Sequence, residues 1–196
     1  MWHGVRVAVS SRRLGTEHSA SRTQLLDAAQ ELLLNEGYAA VTSRRVAAAA
    51  GLKPQLVHYY FRTMDDLFVA LLRRNAELNL AHFDKEIAKD GSLANLWRLN
   101  SDPRGSAFMI ELAALANHRK EIRSELAAYA ERFRKAQLEA LRKALEEEGV
   151  DVPAEVVILL ATGLSQIIGI EKNFGMTTGH KATQAFVRDL IERIAD

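Results

Sequence analysis

Residues 42–61, TSRRVAAAAGLKPQLVHYYF, decide the fold. Val46, Ala47, Ala50, Leu52, Val57 and Tyr60 are apolar or aromatic at spacings that pin two short helices together. Gly51 falls where the chain must reverse, a conformation glycine adopts without steric cost. Thr42 is placed to cap the first helix through its side-chain oxygen, and Pro54 suits the first turn of the second, where its missing N–H has no partner to lose. Arg44, Arg45, Lys53, Gln55, His58 and Tyr59 are left facing outward. This is the pattern of a helix-turn-helix, whose second helix lies in the major groove of DNA.

The groove admits one α-helix, and the residues that open that helix face the base edges. Lys53, Gln55 and Leu56 occupy that stretch; Gln55 can pair with adenine and Leu56 can touch a thymine methyl. Thr42, Arg44, His58, Tyr59 and Tyr60 are donors of the kind that hold phosphates and fix register, and Arg45 is counted with them among the DNA-binding residues. For Arg44 and Arg45 a solvated surface charge is the alternative reading, and Tyr60 can pack its ring while offering its hydroxyl.

Reading outward, an amphipathic helix is expected over about 22–35, with Leu25, Leu26, Ala29, Leu32 and Leu33 on one face and Gly37 ending it. Thr63 opens another, with Asp65 and Asp66 in its first turn where the helix dipole favours negative charge, running to near Asp90. Helices follow over about 92–100, 104–118, 120–148, 153–174 and 181–195, broken at Asp102-Pro103, at 118–120, at Gly149 to Pro153 and at Gly175 to Gly179. The expected fold is all-α. Residues 1–21, polar and without period, read as a flexible basic arm, 22–66 as the helix-turn-helix domain and 67–196 as a helical body.

Composition agrees with a globular helical protein: 48% apolar, 26% charged, three prolines and no cysteine in 196 residues. The missing cysteines remove disulfides, thiolate zinc sites and cysteine nucleophiles, and fit a cytoplasmic location. Residues 1–62 hold eight Lys/Arg against four Asp/Glu, so the rest, from whole-chain totals of 26 and 25, holds 18 against 21. A basic end on an acidic body suggests that only the N-terminal end meets a polyanion. The most apolar run, Val156 to Ile170, is interrupted by Thr162, Gly163, Ser165, Gln166 and Gly169 and is shorter than the roughly 20 residues that span a bilayer. It reads as a buried helix covered on both sides, and no membrane partner is expected.

An enzyme is not expected. The six histidines are scattered, no two at metal-ligand spacing on one helix, and there is no glycine-rich phosphate loop or nucleophile elbow. Neither a cofactor nor a metal is implied.

Residues 22–72 resemble the DNA-binding domain of the TetR family of transcriptional regulators. The likeness is carried by NEGY at the end of the first helix, then AAVTSRRVAAAAGLKPQLVHYYF, then RTMDDLFVAL. The chain departs from the family's usual residues at three places: His58 stands where Tyr is common, Met64 where Lys is common, and Lys53 where Ser or Thr follows the turn. The resemblance implies a homodimer reading a palindromic operator on double-stranded DNA, dimerisation through about 153–174 and 181–195, and a pocket in each body for a small apolar or amphipathic effector. It thereby implies a ligand-responsive regulator, most simply a repressor. The alternative is a DNA-binding or architectural protein without an effector, controlled by a protein partner. Trp97, Phe108, Met109, Leu112, Phe133, Ile167 and Phe174 are candidate pocket walls, or plain core, with Gln137 able to orient a polar group.

Overall fold

The computed structural model describes residues 19–195, and among them every regular element is helical. The helices are α1 (Ala20–Glu36), α2 (Ser43–Ala49), α3 (Pro54–Tyr60), α4 (Met64–Lys89), α5 (Leu93–Asn100), α6 (Pro103–Ala116), α7 (Lys120–Glu147), α8 (Ala154–Asn173) and α9 (His180–Ala195). A single 3-10 turn, Tyr38–Ala40, links α1 to the α2 region. The basic arm expected over 1–21 lies, up to residue 18, outside the described residues. Its last residues belong to α1 instead, because Ser19 caps that helix by accepting a hydrogen bond from the Arg22 N–H at 3.2 Å.

Local chemistry sets the boundaries. Thr63 and Asp66 form a capping box at the start of α4, each side chain accepting from the other's backbone N–H at 3.0 Å. Asp102 caps α6 by accepting from the Arg104 and Gly105 N–H groups. Helix α2 ends in a Schellman turn: Leu52 N–H bonds to Ala47 C=O at 2.9 Å and Gly51 N–H to Ala48 C=O at 3.1 Å, with Gly51 at φ +66°.

Two apolar cores divide the molecule. The first joins α1, α2, α3 and the first half of α4 to α6 and the start of α7, with Leu25, Leu33, Val46, Leu71, Leu112 and Ile122 fully buried. It does not stop at residue 66: Leu67, Phe68, Leu71 and Leu72 pack in the same cluster as Val46 and Val57. The second lies at the far end, where Phe83 of α4, Leu93 and Leu96 of α5, Leu141 and Leu145 of α7 and Ile158 of α8 meet, with Ile191 and Ile194 of α9 against them.

The expectation that α8 is covered on both sides is not met within one chain. Ala154, Ile158, Ser165 and Ile168 face inward, whereas Val156, Leu159, Leu160 and Ile167 are exposed, Leu160 at 69%. Phe186 and Leu190 of α9 extend this exposed apolar surface. Among the described residues, the helices of a single chain cover one side of α8 only. At 20 residues α8 is long and apolar enough to cross a bilayer by length and composition. Its inner face, though, packs in the second core and hydrogen-bonds to α5.

Candidate functional site

The head presents a short convex helix. Ala47, fully buried, lets α2 and α3 approach closely, and Val57 fills the angle between them. Thr42 Oγ1 accepts from the Arg45 N–H at 3.4 Å and so caps α2. Pro54 opens α3 with no N–H of its own, and Lys53 at the N-cap supplies no side-chain acceptor, but its C=O accepts the Leu56 N–H at 2.9 Å. Lys53, Gln55, His58 and Tyr59 are exposed on α3, with Tyr59 at 48% and its ring edge-on to Tyr60 at 5.0 Å.

Three of the residues singled out in the head are engaged by the protein itself. The Arg45 guanidinium is held by Glu36, both carboxylate oxygens accepting at 2.7 Å. This fastens α2 to the end of α1 and takes up the charge expected to meet DNA. Leu56 and Tyr60 are half-buried against the first core, leaving part of each at the surface. Arg44 and Arg62 are exposed.

A cavity of about 930 Å³ lies between α4, α5, α6, α7 and α8, and Gln30 and Leu34 of α1 also line it. Of the wall residues expected, Trp97, Phe108, Met109, Phe133 and Gln137 line it. Leu112, Ile167 and Phe174 do not. Leu112 is fully buried in the first core, one turn beyond Phe108 and facing the head. Ile167 lies on the outer face of α8, and Phe174 ends that helix 75% exposed. Helical periodicity marks such residues as apolar, but it does not say which of two interior surfaces each one meets.

Most of the cavity's polar groups were not singled out from the sequence. Asn100 is the hub of one cluster: its Oδ1 accepts from Gln137 Nε2 at 3.2 Å and from Thr162 Oγ1 at 3.3 Å, while its Nδ2 donates to Ser165 Oγ at 3.3 Å. Gln137 is only 6% exposed, so this cluster is the satisfied polar floor of the cavity. On the opposite wall Asn79 donates to the Tyr129 hydroxyl at 2.5 Å, and burial pushes the Tyr129 phenol pKa up. Arg134, half-buried, also faces the space. These residues come from four helices, and a one-dimensional pattern carries no signal of their convergence.

Helix α6 touches both regions. Ser106, Phe108 and Met109 line the cavity, and Glu111 on the same helix accepts a hydrogen bond from the Tyr38 N–H at 2.9 Å, in the turn that leads into α2. Ion pairs of Arg104 with Glu31 and of Arg119 with Asp65 reinforce this junction. Among the described residues no group of His, Asp and Glu converges as a metal site.

A braced pair of short helices with a polar exposed second helix, on a helical body enclosing a cavity, defines a helix-turn-helix DNA-binding regulator. Residues 25–71 match the family model of bacterial regulatory proteins of the tetR family, so this stretch is similar to the DNA-binding segment of those transcriptional regulators. It is 26% identical to the HTH-type transcriptional regulator BetI of Rhizobium meliloti over 174 residues, 80% of this chain and 85% of that one. Its fold is that of a transcriptional regulator from Saccharomonospora viridis crystallised with choline, at a TM-score of 0.76 and 20% identity over 88% of this chain and 95% of the other. The regulator FadR of Bacillus subtilis in complex with stearoyl-CoA aligns at a TM-score of 0.62 and 15% identity, over 89% of this chain and 97% of that one.

Proposed function

We propose that the protein is a cytoplasmic, ligand-responsive repressor that binds a palindromic operator as a homodimer and releases it when a small amphipathic molecule fills the body cavity. The observation that carries this reading is the double engagement of α6. One helix lines the cavity through Phe108 and Met109 and grips the entry to α2 through Glu111, so a ligand that displaces α6 also displaces the head. Helix α4, which lines the cavity through Asn75 and Asn79 and enters the head core through Leu67 and Phe68, moves with it.

On DNA, Lys53, Gln55 and Leu56 read base edges, and Thr42, Arg44, His58, Tyr59 and Tyr60 hold phosphates. Arg45 acts through its ion pair with Glu36, as a brace. The exposed apolar surface of α8 and α9 is the dimer interface, with Leu159, Leu160 and Phe186 at its centre. Two recognition helices then sit on half-sites about 34–36 Å apart, and an effector works only by binding better to a spacing that no longer fits. Two structural relatives were solved with an organic molecule bound, one with choline and one with stearoyl-CoA, which supports reading a body cavity as a ligand site without fixing the ligand's charge.

Operator affinity measured with and without ligands found by thermal shift tests the coupling. A cavity ligand should weaken operator binding about tenfold or more, within the 1–3 kcal/mol usual for such coupling. A bound ligand that leaves the affinity unchanged sinks it in favour of a regulator controlled by a protein partner. Leu160→Glu should yield monomers by sedimentation; an unchanged dimer would move the interface elsewhere.

A further inference from the structure

The charges around the cavity are unbalanced. Among the described residues Asp102 is the one carboxylate lining it, and both its oxygens are occupied by the N–H groups of Arg104 and Gly105 at the start of α6. Three arginines line the same space. Arg98 is paired with Glu86 and Arg104 with Glu31. Arg134 is half-buried and, among the described residues, has no ion pair or hydrogen bond. A guanidinium held partly out of water without an anion is an uncompensated desolvation, which an incoming anion relieves.

The surroundings of Arg134 add detail. Ala130, Phe133, Arg134 and Gln137 line the cavity from one face of α7, and Gln137, one turn on, belongs to the Asn100 cluster. Phe83 and Tyr129 each pack on Phe133, at 5.3 and 5.9 Å between ring centres. These rings spend their faces and edges on one another and form an apolar wall rather than a box open to a cation.

Resting on the effector reading above, we propose that the cavity takes an amphipathic monoanion, a carboxylate on an apolar body, and that Arg134 binds the carboxylate while Trp97, Phe108, Met109 and Phe133 hold the body. A single free guanidinium matches a single negative charge and offers a carboxylate two parallel N–H donors. A phosphate dianion would leave a charge uncompensated here.

The test uses the full chain and three probes with one chain length: decanoate, decanol and decyltrimethylammonium, each below its micelle concentration at neutral pH and followed by calorimetry. Decanoate should bind at least tenfold tighter than decanol, and the ammonium weakest. Arg134→Gln should cost decanoate tenfold or more and leave decanol within about twofold, with Arg134→Lys restoring part of the loss. Since Arg134 has no ion pair or hydrogen bond among the described residues, neither variant removes such a contact among them. Tighter binding of decyltrimethylammonium or choline than of decanoate overturns the proposal, as does an equal loss for decanoate and decanol in Arg134→Gln. Operator binding separates the two readings. Decanoate held through Arg134 without operator release keeps the charge assignment and removes the effector role; release by a cationic ligand does the reverse.

Discussion

The head and the body meet their ligands with opposite shapes. The head offers α3, convex and exposed, whose Lys53, Gln55, His58 and Tyr59 stand in water until a groove receives them. The body offers a concavity where Gln137, Thr162 and Ser165 are bonded around Asn100 while Arg134, among the described residues, has no ion pair or hydrogen bond. A convex reader depends on one short helix being held at the right angle, so its rigidity comes from the brace beneath it. A concave site depends on several helices converging, so it changes shape when any one of them shifts. Such a difference suits a switch in which the body deforms and the head moves as a unit.

The most severe break of this comparison is at the core the two regions share. Leu112 is fully buried between α6 and the head helices, so Leu112→Ala should lower unfolding free energy by about 2–5 kcal/mol. A single urea transition followed by both tryptophan fluorescence and far-UV circular dichroism should show it. Loss in one of two separate transitions would mean that head and body are independent units.

The next effects divide specificity from posture in the head. Gln55→Ala should change the preference at one operator base pair by about 1–3 kcal/mol. Equal losses on operator and random DNA would remove its reading role. Gly51→Ala tests the brace. At φ +66° a side chain is strained even though nothing stands within 4 Å of the added carbon, so the cost is backbone alone, about 1–2 kcal/mol in stability. Unlike Gln55→Ala, it should weaken all DNA sequences alike, because it alters how α3 is carried.

The same contrast explains what the sequence made legible. The helix-turn-helix is built from neighbours: Thr42 caps, Gly51 turns, Pro54 starts, and the braces Val46, Ala47 and Val57 lie within 12 residues. Short-range rules of capping and period therefore recover it, along with the bounds of the later helices to within two residues. The cavity is assembled by residues as distant as Asn79, Asn100, Arg134 and Ser165, each unremarkable in its own helix. Periodicity finds the aromatic walls Trp97, Phe108 and Phe133 because they are apolar. It equally selects Leu112, which serves the other core, and Ile167 and Phe174, which face out. Arg45 fails differently: its outward position was legible, but its partner Glu36 belongs to the preceding helix.

A smaller effect tests the electrostatics of the head. Arg44 is exposed and, among the described residues, has no ion pair or hydrogen bond. As one phosphate contact per recognition helix, Arg44→Ala should reduce the slope of log affinity against log salt by about 0.9 per half-site, without changing which base pairs are preferred. An unchanged slope would make Arg44 a solvated charge and leave phosphate binding to Thr42, His58, Tyr59 and Tyr60.

The smallest effect belongs to the body and should leave the head untouched. Glu125 of α7 accepts hydrogen bonds from the Arg73 guanidinium of α4, which holds its carboxyl below the usual carboxylate range against the opposing effect of burial. A carboxyl with a lowered pKa in the folded protein stabilises fully above its unfolded value, about 4.3, and loses that contribution as pH falls through the folded value. Glu125→Gln should therefore destabilise at pH 7, and its difference from the unmodified protein should shrink as pH falls below the unfolded value, as read from urea midpoints along that range. The pair is more than half exposed on the arginine side, so the difference should be small and shrink with salt. Because the substitution leaves the head core of Val46, Val57, Leu67 and Phe68 untouched, operator affinity at neutral pH in the absence of ligand should not change. If it does, the body's helices set the posture of the head even when the cavity is empty, and the division into a rigid reader and a deformable receiver gives way to one mechanical unit.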